Sequence, residues 1–281
     1  MDKRRMCPHC RAFITNGDKV CPYCDTVVGP RAVERRSPAD LMGGLIPHAR
    51  FTTMMILLIN TGLYIATILY SSKILGQTVT EPDYQALIDF GGKSGRQILL
   101  YGQWWRLITA GFLHGGTWHI LMNSWVLFDL GVQVEQAFGT ARYLVIYFVS
   151  TITGFLASLY WAPVVLSIGA SAGIFGLIGA MIALGVRDRS AYGAALRSVY
   201  GRWALYGLAF GILPSLIGIS FMDNAAHLGG LAGGFALGYV AGAPGSSRAA
   251  EGFWRAAAGI SLALTAIAFA QMFLGLLSQT R

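Results

Sequence analysis

The chain has 281 residues and a net charge of +8, with 54% hydrophobic and only 12% charged residues. Its mean hydropathy of +0.54 excludes an ordinary soluble domain, where charged residues make up about a quarter of the chain, and describes a membrane protein. The basic excess reads as cytosolic-face topology and contact with anionic lipid, so no nucleic acid partner is expected.

The first stretch, "MDKRRMCPHC", lacks the apolar core of a removable signal, so the amino terminus is expected to stay in the cytosol. Two Cys-x-x-Cys knuckles follow, Cys7/Cys10 and Cys21/Cys24, ten residues apart. Four thiolates match the tetrahedral shell of a closed structural Zn²⁺ site; a disulfide pair or free thiols is the alternative, disfavoured in a reducing compartment. Proline after the first cysteine of each pair suits a tight turn, and "NGDK" between the knuckles is a hairpin signal. Residues 1–30 are therefore expected to form a zinc ribbon too small to fold on its own core and stabilised by its metal. His9 is a surface residue on this reading. The ribbon's partner is unknown: a cytosolic peptide, a lipid surface and simple structural capping all fit. Residues 31–50 form a basic linker with Arg31, Arg35, Arg36 and Arg50.

Apolar runs of about 20 residues, long enough to span a hydrocarbon core, occur seven times. They cover roughly Phe51–Tyr70, Trp118–Phe138, Tyr143–Pro163, Ala170–Val186, Trp203–Phe221, Ala225–Gly242 and Ala256–Leu277. The fourth and sixth are short and rich in Gly and Ala, unlike helices bathed in lipid on all sides. Arg142, Arg187, Arg189, Arg197, Arg202, Arg248 and Arg255 fall on the inner side, whereas the outer connections 164–169 and 222–224 carry no Lys or Arg. The first outer loop is the exception, with Lys73, Lys93, Arg96 and Arg106; long loops translocate with less regard to charge. That loop, 71–116, is too long to be structureless. Its "WWR" places Trp104 and Trp105 at the membrane interface, with Arg106 either bonding loop carbonyls or gripping substrate.

Strongly polar residues inside apolar spans are costly enough to count as functional candidates. Three groups qualify: His114, His119 and Asn123 in "HGGTWHILMN", Ser171 in "GASAG", and His227 in "DNAAHLGG". Taken singly, each has a plainer reading. His119 is an interfacial histidine and Asn123 bonds a neighbouring helix; Ser171 packs; His227 is a core residue or a proton relay. Topology gathers them, because spans two, four and six all run inward and each group sits near the starting end. Gly173, Gly176 and Gly179 on span four, with Gly230 and Gly234 on span six, form small-residue strips that permit close approach.

If those faces pack, His227 can accept the proton of Ser171, the pairing that activates a serine nucleophile. A helix N-terminus at Ser171 offers a free backbone N–H and a positive dipole end, and His119 and Asn123 add side-chain donors for an oxyanion. Asp223 lies a turn before His227 and nearer the surface, so the reading is a dyad without an orienting carboxylate. Hydrolysis by such a pair would consume water, so His114, His119, Asn123 and Ser171 are expected to line a cavity open to the outer side.

These residues resemble the rhomboid family of intramembrane serine proteases over roughly Phe90–Gly242. "GQWWRLITAGFLHGGTWHILMN" is similar to the family's Trp-Arg loop and His-x4-His-x3-Asn segment, here Trp105, Arg106, His114, His119 and Asn123. "LGVQVEQAFGTARYL" resembles the end of the second helix, with Glu135, Gly139 and Arg142. "GASAGIFG" resembles the Gly-x-Ser nucleophile motif, and "AAHLGGLAGG" the base motif with Gly230 and Gly234. The resemblance implies catalytic Ser171 and His227, oxyanion donors including His119 and Asn123, no catalytic cofactor, and cleavage of single-span membrane proteins near their outer boundary. It also implies a six-helix core, with the seventh span a C-terminal addition. The pattern departs at Ala172, where the family commonly has Gly and where a methyl would lie next to the oxyanion donors. It departs also at Phe175, where an aromatic, often Tyr, stacks on the catalytic His. Gly169 frees the turn before the serine.

The sequence thus predicts an all-α polytopic membrane protein: a ribbon (1–30), a linker (31–50), a rhomboid-like catalytic core (51–242), and a linker with a seventh transmembrane helix (243–281). It is expected in the bilayer of a bacterial inner or plasma membrane with its N-terminus cytosolic. The alternative is a catalytically inactive rhomboid-like protein that binds membrane helices. A transporter using His227 as proton relay is disfavoured by the absence of an inverted repeat.

Overall fold

The computed structural model describes residues 4–7, 9–15, 18–28, 51–218, 222–242, 244–245 and 247–279. The expected basic linker 31–50 lies outside the described residues, as do Asn16 and Gly17 of the hairpin signal. The chain divides into two compact units, Met1–His48 and Ala49–Arg281.

In the first unit, β1 (Arg4–Met6) pairs antiparallel with β2 (Phe13–Thr15), Arg5 opposite Ile14. The two knuckles repeat one backbone design. The amide of Arg11 donates to the Cys7 carbonyl and that of Asp25 to the Cys21 carbonyl, each at 3.0 Å. Among the described residues, Arg11 and Asp25 are the two non-glycine positions with positive φ, 60° and 52°. Each chain reversal thus turns a cysteine sulfur inward. What they enclose is small: Cys7, Ile14, Cys21 and Val28 are buried, while Phe13, Tyr23 and Val27 are exposed.

The second unit is helical: α1 (Phe51–Leu75), α2 (Tyr84–Asp89), α3 (Gly95–Tyr101), α4 (Arg106–Thr109), α5 (Thr117–Phe138), α6 (Thr140–Trp161), α7 (Ser171–Arg187), α8 (Ala191–Ser215), α9 (Asn224–Ala241) and α10 (Arg248–Gln279). The protein is a polytopic all-α membrane protein. By length and composition alone, α1, α6 and α10 can cross a membrane, and α7 is apolar but only 17 residues long. The remaining long helices fall short on apolarity because they carry polar and charged residues, such as His119, Asn123 and Asp129 on α5 and Arg197 and Arg202 on α8.

The fifth span departs from its expected bounds. Instead of Trp203–Phe221 the helix runs from Ala191 to Ser215, and Phe221 itself is outside the described residues. Hydropathy passes over the first three turns because they are polar. Their start is instead fixed by Ser190, whose side chain accepts the Gly193 amide. The long first loop is largely built: α2, α3, α4 and a 3₁₀ turn at Ala110–Phe112 occupy it. Arg106 holds it together, donating to the carbonyls of Ile88 (2.6 Å) and Gly92 (3.0 Å) and to Gln103 Oε1 (2.7 Å), with Trp105 against its guanidinium.

Helix α7 is the centre, with twelve of its residues buried. Gly179 faces α9, and the backbone of Gly234 lies directly on that of Gly176. A side chain at Gly179 or Gly234 would force the two helices apart. Gly173 and Gly176, three residues and nearly a full turn apart, share a face turned to α6, toward Tyr147 and Thr151 and toward Ser150. Helix α10 is pinned at both ends. Arg142, at the start of α6, makes paired bonds to Glu251 (2.9 and 3.2 Å) and reaches the Ala241 carbonyl, while Phe269 packs edge-on against Phe112.

Candidate active site

Tight packing of α7 against α9 brings two polar side chains together. His227, in the first turn of α9, is 2% exposed, and its Nε2 lies 2.9 Å from Ser171 Oγ at the first residue of α7. Phe175, one turn along α7, stacks on the imidazole at 4.3 Å with the planes 13° apart. Among the described residues His227 Nδ1 has no hydrogen-bond partner. Asp223 does not supply one, because its carboxylate is used elsewhere. It caps α9 by accepting the Ala226 amide (3.0 Å) and accepts the Ser158 hydroxyl from the end of α6.

The approach to Ser171 is set by glycine. Gly169 has φ +123° and donates its amide to the Ala110 carbonyl at 2.9 Å; a β-carbon there would come within 2.6 Å of His119 Nε2. His119 therefore faces the backbone just before Ser171. Its Nδ1 accepts the Gly115 amide (3.4 Å), which leaves Nε2 as the protonated, donating nitrogen. Asn123 is buried one turn along α5 and donates one amide hydrogen to the His119 carbonyl (3.0 Å); the second remains to be given. The first amides of α7 have no acceptor within the helix. This arrangement can transfer a proton from serine to imidazole and present N–H donors to a nearby anion.

Two sequence expectations change. His114 does not line an open cavity. It is fully buried, edge-on to His119 at 5.0 Å, because it follows directly on a buried 3₁₀ turn, Ala110–Phe112, and the buried Leu113. The methyl of Ala172 does not face the serine's surroundings. It packs on Gly154 of α6, about 100° around the helix from Ser171. Gly230 lies on the backbone of Ala172. Residues that sequence reasoning passed over are Lys93, counted only as a loop charge, and the Ser158–Asp223 link. The visible signal for Lys93 was a lone lysine between apolar residues in "IDFGGKSG".

In the first unit the four cysteine sulfurs lie within 4.8 Å of one another. Cys7 and Cys24 Sγ are 3.7 Å apart, as are Cys10 and Cys21. That is too long for a disulfide and close to the edge, about 3.8 Å, of a tetrahedron with metal–sulfur bonds of about 2.3 Å. The Thr26 hydroxyl, and then its backbone N–H, pull the Cys24 thiol down to about 5, toward the thiolate that a metal binds. These residues fit a bound metal ion.

Residues 101–244, just over half of the chain, match the family model described as the Rhomboid domain. The chain is 35% identical over 169 residues to Rhomboid protease GluP of Bacillus subtilis (strain 168), covering 60% of this chain and 31% of that protein. It is 30% identical over 201 residues to Rhomboid-like protease 2 of Toxoplasma gondii, with 68% and 65% covered. It is also 33% identical over 171 residues to Inactive RHOMBOID-like protein 8 of Arabidopsis thaliana, with 57% and 47% covered. The matched part thus spans between about a third and two thirds of these relatives.

Proposed function

Because the chain belongs to the rhomboid family, we propose that it is an intramembrane serine endopeptidase that cleaves single-span membrane proteins near the outer membrane boundary. The observation that carries this reading is the 2.9 Å contact between Ser171 Oγ and His227 Nε2, made across two helices whose close packing the glycines permit. Ser171 Oγ attacks the scissile carbonyl while His227 Nε2 takes its proton, then returns it to the leaving amine. Water deprotonated by the same imidazole then releases the acyl group and frees the serine.

The tetrahedral oxyanion is held by the Ser171 backbone N–H at the positive end of α7, by His119 Nε2–H and by the free amide hydrogen of Asn123. Phe175 keeps the imidazole plane in register in place of an orienting carboxylate. Trp105, Arg106 and His114 support the loop that carries this half of the site. The reaction needs no cofactor. Cys7, Cys10, Cys21 and Cys24 hold a structural Zn²⁺ in a ribbon of residues 1–30, on the cytosolic side of a bacterial inner or plasma membrane. The ribbon, the linker 31–50, the catalytic core 51–242 and the C-terminal segment 243–281 are separate functional parts.

Similarity to a relative named inactive gives the second reading, a membrane-helix binding protein without catalysis. Retention of both dyad members and their donors favours the enzyme, since a pure binder gains nothing from such buried polar groups. A serine-reactive fluorophosphonate should label the wild type and neither Ser171→Ala nor His227→Ala, and only the wild type should cut a single-span test substrate. Equal labelling of all three, or an intact substrate, overturns the proposal.

A further inference from the structure

Lys93 is 0% exposed, an unusual state for an ammonium in a chain otherwise short of charge. Burial of a cation is costly unless its donors and its charge are both matched. Its donors are matched here, and the acceptors lie at the end of α6 and on the connection that leads to the serine. Lys93 Nζ donates to the carbonyls of Ala162 (2.8 Å) and Val165 (3.0 Å). Ala162 is the C-terminal cap of α6, where unpaired carbonyls and the negative dipole end favour a cation. The carboxylate whose charge acts on Lys93 is Asp223, the cap of the helix that carries His227. The backbone of Lys93 exchanges two 3.0 Å bonds with Ser167, and Gly95 donates to the Pro163 carbonyl at 3.0 Å.

We propose that Lys93 is a positioning residue for the site described above, fixing the connection 162–170 that delivers Gly169 and Ser171. The segment has no regular structure of its own between α6 and α7 apart from the bridge of Ser167 to Lys93. Its placement rests on these contacts together with the Gly169 bond to Ala110 and the packing of Leu166 and Ile168. One residue holds both the end of α6 and the approach to Ser171. Loss of the ammonium frees the approach without removing a reacting group. A misplacement of about 1 Å at a reacting atom can cost about 10²-fold in rate. The catalytic part of this inference rests on the protease reading; the structural part does not.

The test compares full-length wild type with Lys93→Met and Lys93→Gln. Gln keeps a donor for the carbonyls but no charge. The expected result is that Lys93→Met exchanges amide hydrogens in residues 162–170 about tenfold faster while the amides of α7 stay protected. Fluorophosphonate labelling and kcat fall by about 10²-fold with KM within about threefold, and Lys93→Gln lies between. Unchanged exchange and unchanged labelling in Lys93→Met overturn the inference, as does a Gln variant that matches Met in both. If Lys93→Met does not fold, Lys93→Gln against wild type decides by the same readouts. If wild type neither labels nor cleaves, the protease reading falls, and the exchange measurement still decides whether Lys93 holds the connection.

Discussion

The imidazole of His227 lies flat on the ring of Phe175, 4.3 Å away and 13° from parallel, with no hydrogen-bond partner among the described residues at Nδ1. Stacking thus does the orienting that a carboxylate does in a serine triad. Phe175→Tyr should keep turnover within about threefold, since the ring face is retained. Phe175→Ala should lower fluorophosphonate labelling by about tenfold or more and cost about 3 kcal/mol of stability. Thermal unfolding alongside the labelling rate separates the two effects.

Ala172→Gly should bring no gain in rate. The methyl packs on Gly154 of α6, within the cluster of Ala110, Phe155 and Ala226, so removing it opens a small cavity and loosens the first turn of α7. A loss of about 1 kcal/mol is expected. A labelling rate raised severalfold over wild type would show that the methyl does obstruct the site.

Arg142 is 1% exposed and Glu251 24%, so truncating the acid strands a buried guanidinium while water partly compensates. Glu251→Ala should destabilise the protein by about 1–3 kcal/mol, and Glu251→Gln by less, because it still offers one acceptor. The midpoint of thermal unfolding in detergent checks both. No change in Glu251→Ala would mean that α10 docks through its apolar contacts alone.

The ribbon should hold about one zinc per chain at pH 7 and release it as the pH falls. Cys24 is lowered from 9.0 to about 5, so its stabilisation of the folded ribbon is complete above pH 9.0 and is lost as the pH drops through about 5. Bound metal extends the same sense to lower pH, because protons compete for thiolate. A chromogenic zinc assay across a pH series reads the release. A chelator at pH 7 should also expose Arg11 and Lys19 to trypsin.

Val164 is 90% exposed in the connection between α6 and α7. With a cytosolic N-terminus this connection faces outward, and a membrane-impermeant thiol probe should label Val164→Cys in intact cells. The four native cysteines stay shielded on the other side. Labelling only after lysis reverses the proposed orientation.

Much of the site is legible in the chain because each chemical group stands at the start of an apolar run. Spacing alone put His119 and Asn123 on one helix face, and glycine periodicity pointed to close packing of α7 on α9. Lys93 was not legible in this way. Its meaning lies in carbonyls 69 and 72 residues away, and in the charges of the first outer loop it looked like an exception to the topology rule. It is in fact a buried structural cation, as is Arg106 at 4% exposure. The polar first turns of α8 escaped for a different reason, since hydropathy reads lipid contact rather than helix.

The sequence by itself determined the class, the apolar runs and the candidate groups, because burial in lipid selects residue types directly. Tertiary structure alone decided which side of α7 each small residue serves, that His114 is buried, and that Ala172 points away from the serine. Those outcomes depend on the rotation of each helix against its neighbours. Side chains one residue apart on a helix point about 100° apart, so only the packed neighbour decides whether a given methyl fills a core or blocks a site.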